Sequence, residues 1–155
     1  MLRRALIAVG LISAAPAGAA SLEPFEHVSC KGEPNEIRLT VNNVKQSAGL
    51  MTAELFRNDP EGFLNKKGRL FRVRYAARAP FTQICLNAPE PGQWAVAVYH
   101  DKNANHKFDK GAFGLPIEPY GISGNPKIHL APPPIAEALF EVAESGASVE
   151  IRLKN

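Results

Sequence analysis

A helical pattern is what this sequence most lacks. No stretch of its 155 residues repeats apolar side chains at helical spacing, and thirteen Pro and twelve Gly break the chain at short intervals. That excludes a helical bundle and a doubly wound α/β fold. Cysteine is scarce: Cys30 and Cys85 are the two, with no C-x-x-C spacing to suggest a zinc ribbon or a dithiol redox motif. No apolar run reaches the roughly 20 residues that a membrane-spanning helix needs. Excess charge is missing as well. Eighteen Lys and Arg, less Arg3 and Arg4 of the leader described next, leave 16 against 15 acids, a net charge of about +1. No polybasic footprint for nucleic acid or membrane remains.

What is there begins with a leader. Residues 1–4 are basic, residues 5–14 are apolar, and residues 15–20 (APAGAA) are small. This three-part pattern predicts a secretory signal cleaved near Ala19 or Ala20, with no transmembrane anchor, and a periplasmic or secreted product. An oxidising compartment makes one Cys30–Cys85 disulfide the simplest use of an even cysteine pair. It would close a loop of about 55 residues, for which the chain-entropy model gives roughly 4 kcal/mol.

The chain then divides into an irregular arm over residues 21–36 and one domain over residues 37–155. Ile37, Leu39 and Val41 alternate with polar residues, the period of a half-buried strand. Met51, Ala53 and Leu55 repeat the pattern, and residues 57–67 follow as a polar loop. Phe71, Val73 and Tyr75 alternate with Arg72 and Arg74. With Arg69 and Arg78 these arginines form either an anion patch or a solvated sheet face, and the solvated face is the usual arrangement. Residues 81–87 and 93–100 read as a fourth and fifth strand. The fifth is apolar on both faces and so is predicted to be central. Three consecutive prolines exclude a central strand over residues 128–134. Residues 138–142 and 148–153 are expected to form a last hairpin. Seven short strands with Pro/Gly turns predict an all-β fold, a seven-stranded β-sandwich of immunoglobulin or prealbumin type.

One long loop, residues 100–126, carries the densest set of binding groups. Asp101, Asn103, Asn105 and Asp109 fall at positions 1, 3, 5 and 9 of a calcium-loop spacing, with the Lys107 carbonyl at 7. Glu118 is the nearest further acid. Position 6 is His106 where a Gly is usual, and position 12 is Ala112 where a bidentate Glu is usual. The set is therefore a candidate weak Ca²⁺ site, about 10⁻⁴–10⁻³ M at best. The same residues can instead bond their own backbone as Asx-turns, and the pattern weighs the two readings evenly. Tyr99, Phe108, Phe113 and Tyr120 bracket the loop, either packing it down or gripping a sugar or peptide. His100 and His106 could in principle hold a transition metal, although their spacing and the lack of a nearby Cys give this little support.

Residues 94–101, then Asn103, Asn105 and Asp109, then GLPIEPYGIS over residues 114–123, resemble the DUF2141 family of exported bacterial proteins. That pattern runs His-Asp-x-Asn-Gly-Asn-Gly-x-x-Asp and then Gly-x-Pro-x-Glu-x-Tyr-Gly-x-Ser. The tail at residues 133–140 also resembles the family's Pro-rich step, and the likeness extends from about Ile37 onward. Ala104 and His106 stand where the family has Gly, and both make a tight turn costlier. The resemblance implies fold and export; the family has no established activity to carry over.

The sequence thus predicts an exported, non-enzymatic module whose ligand is an unidentified small molecule, glycan or envelope protein. Its loop candidates are His100, Phe113, Tyr120 and Ser123. The alternative is a small periplasmic hydrolase with Ser123 as nucleophile and His100 as base, although Gly121-Ile122-Ser123-Gly124 is not the G-x-S-x-G elbow.

Overall fold

The computed structural model describes residues 30–128 and 131–154. The predicted signal, and residues 21–29 of the arm, lie outside the described residues. Among the described residues the fold is all-β, with two sheets and eight strands. β1 (Glu36–Asn42), β4 (Phe81–Asn87) and β8 (Ala147–Arg152) form one sheet in the order β4-β1-β8. β2 (Leu50–Arg57), β3 (Arg69–Ala76), β5 (Gly92–Asp101) and β6 (Tyr120–Ile122) form the other in the order β3-β2-β5-β6. β7 (Phe140–Val142) also pairs with β5, at Gly92–Trp94, while β6 pairs with Ala97–Tyr99.

The alternation in the sequence maps directly onto the core. Ile37, Leu39 and Val41 of β1 face Met51, Ala53 and Leu55 of β2 and Trp94, Val96 and Val98 of β5 in one apolar cluster between the sheets. Each such side chain, when fully buried, contributes roughly 1.5–3 kcal/mol. β5 is central, as its two apolar faces predict. Its other face carries the small Ala95 and Ala97, on which Phe56, Ile122, Ile135 and Ala138 build a second cluster. Small side chains there let the segment after the prolines lie close against the sheet.

Two expectations need correction. The strands number eight, because Tyr120–Ile122 is a strand and not loop. Three residues are too few to show a period; what creates β6 is pairing with β5 in the middle of the sheet. Gly121 permits this, since a Cβ there would lie 2.5 Å from Ile151 Cγ2. The last two strands do not form a hairpin either. β7 joins β5, and β8 joins β1 in parallel, Ile37 opposite Ala147 through Asn42 opposite Arg152. The turn at Glu144-Ser145-Gly146 carries the chain from one sheet to the other, with a single bridge, Ala143–Gly146, between its arms.

Arg69, Arg72 and Arg74 lie on β3, each partly buried, and Arg78 lies beyond it. Glu54 on β2 receives Arg69 at 2.8 Å and Arg72 Nε at 2.7 Å, so two of the four are paired within the sheet. Across the molecule, Cys30 and Cys85 are joined, with Cα atoms 5.4 Å apart. Glu36 secures the same turn, accepting the N–H groups of Lys31 and Gly32 and the Arg38 side chain.

Replacing both cysteines (Cys30→Ser with Cys85→Ser) removes a 55-residue cross-link. Urea unfolding of the double variant is expected to show a loss of up to about 4 kcal/mol, with the far-UV spectrum unchanged before the transition. An unchanged midpoint would show that the β-sheets hold the arm without the bond.

Candidate functional site

β5 delivers the loop at Asp101, and β6 takes it back at Tyr120. The His100 N–H donates to the Pro119 carbonyl at 2.8 Å and closes the base. Gly49 makes room there: its φ is +72°, and a Cβ would lie 2.1 Å from the Asp101 carbonyl oxygen.

Two buried carboxylates organise what lies between. Asp101 Oδ1 accepts the Asn105 N–H at 3.0 Å and Oδ2 accepts the His106 N–H at 2.8 Å. Glu118 Oε1 accepts the Lys102 N–H and Oε2 the Asp109 N–H, both at 3.0 Å. Their relative exposures are 0 % and 4 %. Each oxygen of both carboxylates thus takes a backbone donor of the loop, a strong arrangement for a charged acceptor.

The asparagines complete the pattern. Asn103 Oδ1 accepts the Asn105 N–H at 3.1 Å and Asn105 Oδ1 the Lys107 N–H at 2.8 Å. These are successive Asx-turns, bonds from a side chain to the backbone two residues on. Their amide nitrogens both donate to Asp109 Oδ2, at 2.9 and 2.8 Å. Ala104 and His106 hold φ of 54° and 65°, at roughly 1–2 kcal/mol each for a non-Gly residue. The hydrogen bonds on either side offset that cost.

The hydrogen bonds from Asn105, then Asn103, with the nearby Lys107 charge adding to them, hold the Asp109 carboxyl below its ordinary value of 3.8 against some desolvation. A lowered folded pKa means stability that is present above the unfolded pKa and lost as pH falls through the folded one.

The hydrolase pair does not assemble. Ser123 Oγ accepts the Val96 N–H at 2.9 Å and donates to the Ala138 carbonyl at 2.5 Å, fully buried. His100 Nε2 lies 2.6 Å from the Ala48 carbonyl and is 1 % exposed. From Val96 to His100 is four residues of strand, about 13 Å at a rise of ~3.3 Å, against roughly 2.6–3.2 Å for proton transfer. Both side chains join distant backbone segments. His106, the other half of the transition-metal idea, is exposed on the loop. Among the described residues no group of three or more His, Cys, Asp or Glu is arranged to hold a metal ion.

The aromatic residues divide. Tyr99, Phe108 and Tyr120 stack in sequence, with ring centroids 5.1 and 5.9 Å apart. Phe113 takes no part and is 100 % exposed. Of His100, Phe113, Tyr120 and Ser123, the loop offers Phe113 fully to solvent and Tyr120 in part. Leu115 and Ile117, outside the Asp/Asn spacing, are also exposed; their apolar character in so polar a loop is the sequence signal for them.

A family model described as "uncharacterized protein conserved in bacteria" (DUF2141) matches residues 39–150, from within β1 to within β8. The chain belongs to the DUF2141 family. The match spans both sheets and the whole loop, and it leaves Cys30 outside. No curated protein and no solved structure matches the chain. In this DUF2141 member the family's His-Asp pair is a buried imidazole beside a buried carboxylate, its Glu closes the loop, and the Gly and Ser of Tyr-Gly-x-Ser fit β6 against both sheets.

Two measurements check this account. The stability difference between the parent and Asp109→Asn, followed by thermal unfolding, should be constant above about pH 5 and shrink below about pH 4; a difference flat across that range would mean that the carboxylate bonds contribute nothing. Ser123→Ala should cost about 1–3 kcal/mol by leaving the Val96 and Ala138 groups unpaired. A neutral Ser123→Ala would show those bonds to be dispensable.

Proposed function

We propose that this chain is an exported, non-enzymatic recognition module, built on a sandwich of immunoglobulin or prealbumin type, that presents the 101–119 loop to an envelope partner or a small ligand. The observation that carries this reading is the saturation of the loop's polar groups. The side-chain oxygens of Asp101, Asn103, Asn105 and Glu118 are bonded to loop N–H groups, and Asp109 takes the two carboxamides. Such a loop is ordered before it meets anything, and preorganisation lowers the entropy cost of binding. The buried, committed state of His100 and Ser123 supports binding over hydrolysis. Export is supported by the leader pattern and by a disulfide of the kind that persists in oxidising compartments.

Calcium is the second reading, favoured by the convergence of Asn103 and Asn105 on Asp109. To hold Ca²⁺ both carboxamides would have to turn their oxygens toward Asp109, leaving the Lys107 N–H without its Asn105 acceptor and the Asn105 N–H with Asp101 alone. Six to eight oxygens at about 2.3–2.6 Å are required, so the gain from the ion is set against two Asx-turns.

Thermal unfolding in EDTA and in about 5 mM CaCl₂ separates the two, since a ligand bound to the folded state raises its midpoint by mass action. The self-bonded loop predicts equal midpoints, with Asp101→Ala lowering stability by about 1–3 kcal/mol in both buffers. A calcium-specific rise of a few degrees, abolished by both Asp101→Ala and Asp109→Ala, would establish the cation site instead.

A further inference from the structure

The segment after Asp109 forms a small finger. The Ile117 N–H donates to the Asp109 carbonyl at 3.1 Å and the Gly111 N–H to the Leu115 carbonyl at 2.8 Å, with a bridge between Lys110 and Pro116. The tip turns through Ala112–Gly114, where Phe113 and Gly114 take φ of 61° and 75°. The base is clamped by Glu118 through the Asp109 N–H. The finger therefore has a defined shape, and it is used to hold apolar side chains in water. Phe113 is 100 %, Leu115 55 % and Ile117 60 % exposed. Three of the six exposed large hydrophobic residues among the described residues thus fall within five positions.

Charge on the same loop has one outward sign. Lys102, Lys107 and Lys110 are exposed. The acids point the other way: Asp101 and Glu118 are buried on backbone N–H groups, and Asp109 is half-buried against the two carboxamides. A convex apolar tip flanked by lysines, with no exposed acid on the loop, is complementary to the interfacial layer of an anionic bilayer. There phenyl and aliphatic groups enter the boundary region and ammonium groups meet phosphates. A protein partner would need a pocket to receive Phe113, which is fully exposed, whereas a bilayer deforms around a projecting ring.

We propose that the 110–117 finger seats this protein on an anionic membrane surface, inserting Phe113, Leu115 and Ile117 at headgroup level with Lys107 and Lys110 against lipid phosphates. This goes beyond the recognition reading and does not depend on a cation in the loop.

The test places the reporter at the tip. Phe113→Trp in the full chain is mixed with vesicles of phosphatidylcholine alone, or with about one third phosphatidylglycerol, each containing brominated acyl chains. Because the signal comes from position 113, adsorption through apolar residues 5–14 cannot produce it, and the parent with its buried Trp94 supplies the background. The expected result is a blue shift and quenching on the phosphatidylglycerol vesicles, equal in EDTA and CaCl₂. Affinity should fall about tenfold or more in Lys107→Glu/Lys110→Glu, with an unchanged far-UV spectrum. Three results would overturn the proposal: no change at position 113 on either vesicle, equal quenching on neutral lipid, or a blue shift that grows with protein concentration without lipid. The last would assign the tip to contact between copies of the chain.

Discussion

Everything distinctive in this protein depends on two carboxylates buried at the base of one loop. Asp101 and Glu118 lie at its two ends and between them accept four backbone N–H groups. A loop of this length at the end of a sheet exposes many backbone donors, and its short 109–117 pairing takes only a few of them. An ionised acceptor makes hydrogen bonds roughly twice as strong as a neutral one. It also becomes a liability if its donors leave, because an unpaired buried charge is expensive. Each carboxylate therefore fixes the backbone, and the backbone in turn fixes the carboxylate. Asn103, Asn105 and Asp109 extend the same arrangement outward, and the strained dihedrals of Ala104 and His106 persist inside it.

The sheet beneath supplies the rigidity that this needs. β5 runs through the middle with β2 along one edge and β6 and β7 along the other. Its last two residues, His100 and Asp101, are the start of the loop. His100 reaches the Ala48 carbonyl and so ties the β1–β2 connection to the same point, while Ser123 ties β5 to the Ala138 backbone. Residues with the look of a catalytic pair are thus joints between segments.

Much of this was legible in the sequence, and the limits have physical causes. Period-two alternation at Ile37–Val41 and Met51–Leu55 reports burial directly, so these strands could be read from it, and the central place of β5 could be read from its two apolar faces. The disulfide followed from an even cysteine pair and a leader pattern. β6 was not legible because three residues have no period and its partners on β5 lie 21 to 25 positions earlier in the chain. The final hairpin was misread because local turn chemistry says where a chain reverses but not which sheet receives it. The Asp/Asn spacing marked the start of the loop, whose expected extent over residues 100–126 is cut short by β6. It could not say whether the side-chain oxygens face a cation or N–H groups, because both arrangements use the same residues and differ in the orientation of two carboxamides. The exposure of Phe113 was hidden for a similar reason. An aromatic residue among Tyr99, Phe108 and Tyr120 looks like a fourth member of their cluster until the turn at Ala112–Gly114 is seen to carry it outward.

The parallel pairing of β1 with β8 has a mechanical meaning. Six successive positions, from Ile37 opposite Ala147 to Asn42 opposite Arg152, run side by side in the same direction. A pull that enters ahead of β1 and leaves beyond β8 acts along the strands in opposite senses. It loads their hydrogen bonds in shear, so that they must yield together, where a hairpin pulled from its open end would unzip one bond at a time. The Cys30–Cys85 bond passes part of that load to β4 on the other side of β1. A domain held between two attachments would, by this geometry, transmit tension across its smaller sheet, and the Lys154–Tyr120 backbone pair just beyond β8 would pass part of it to the far end of the loop.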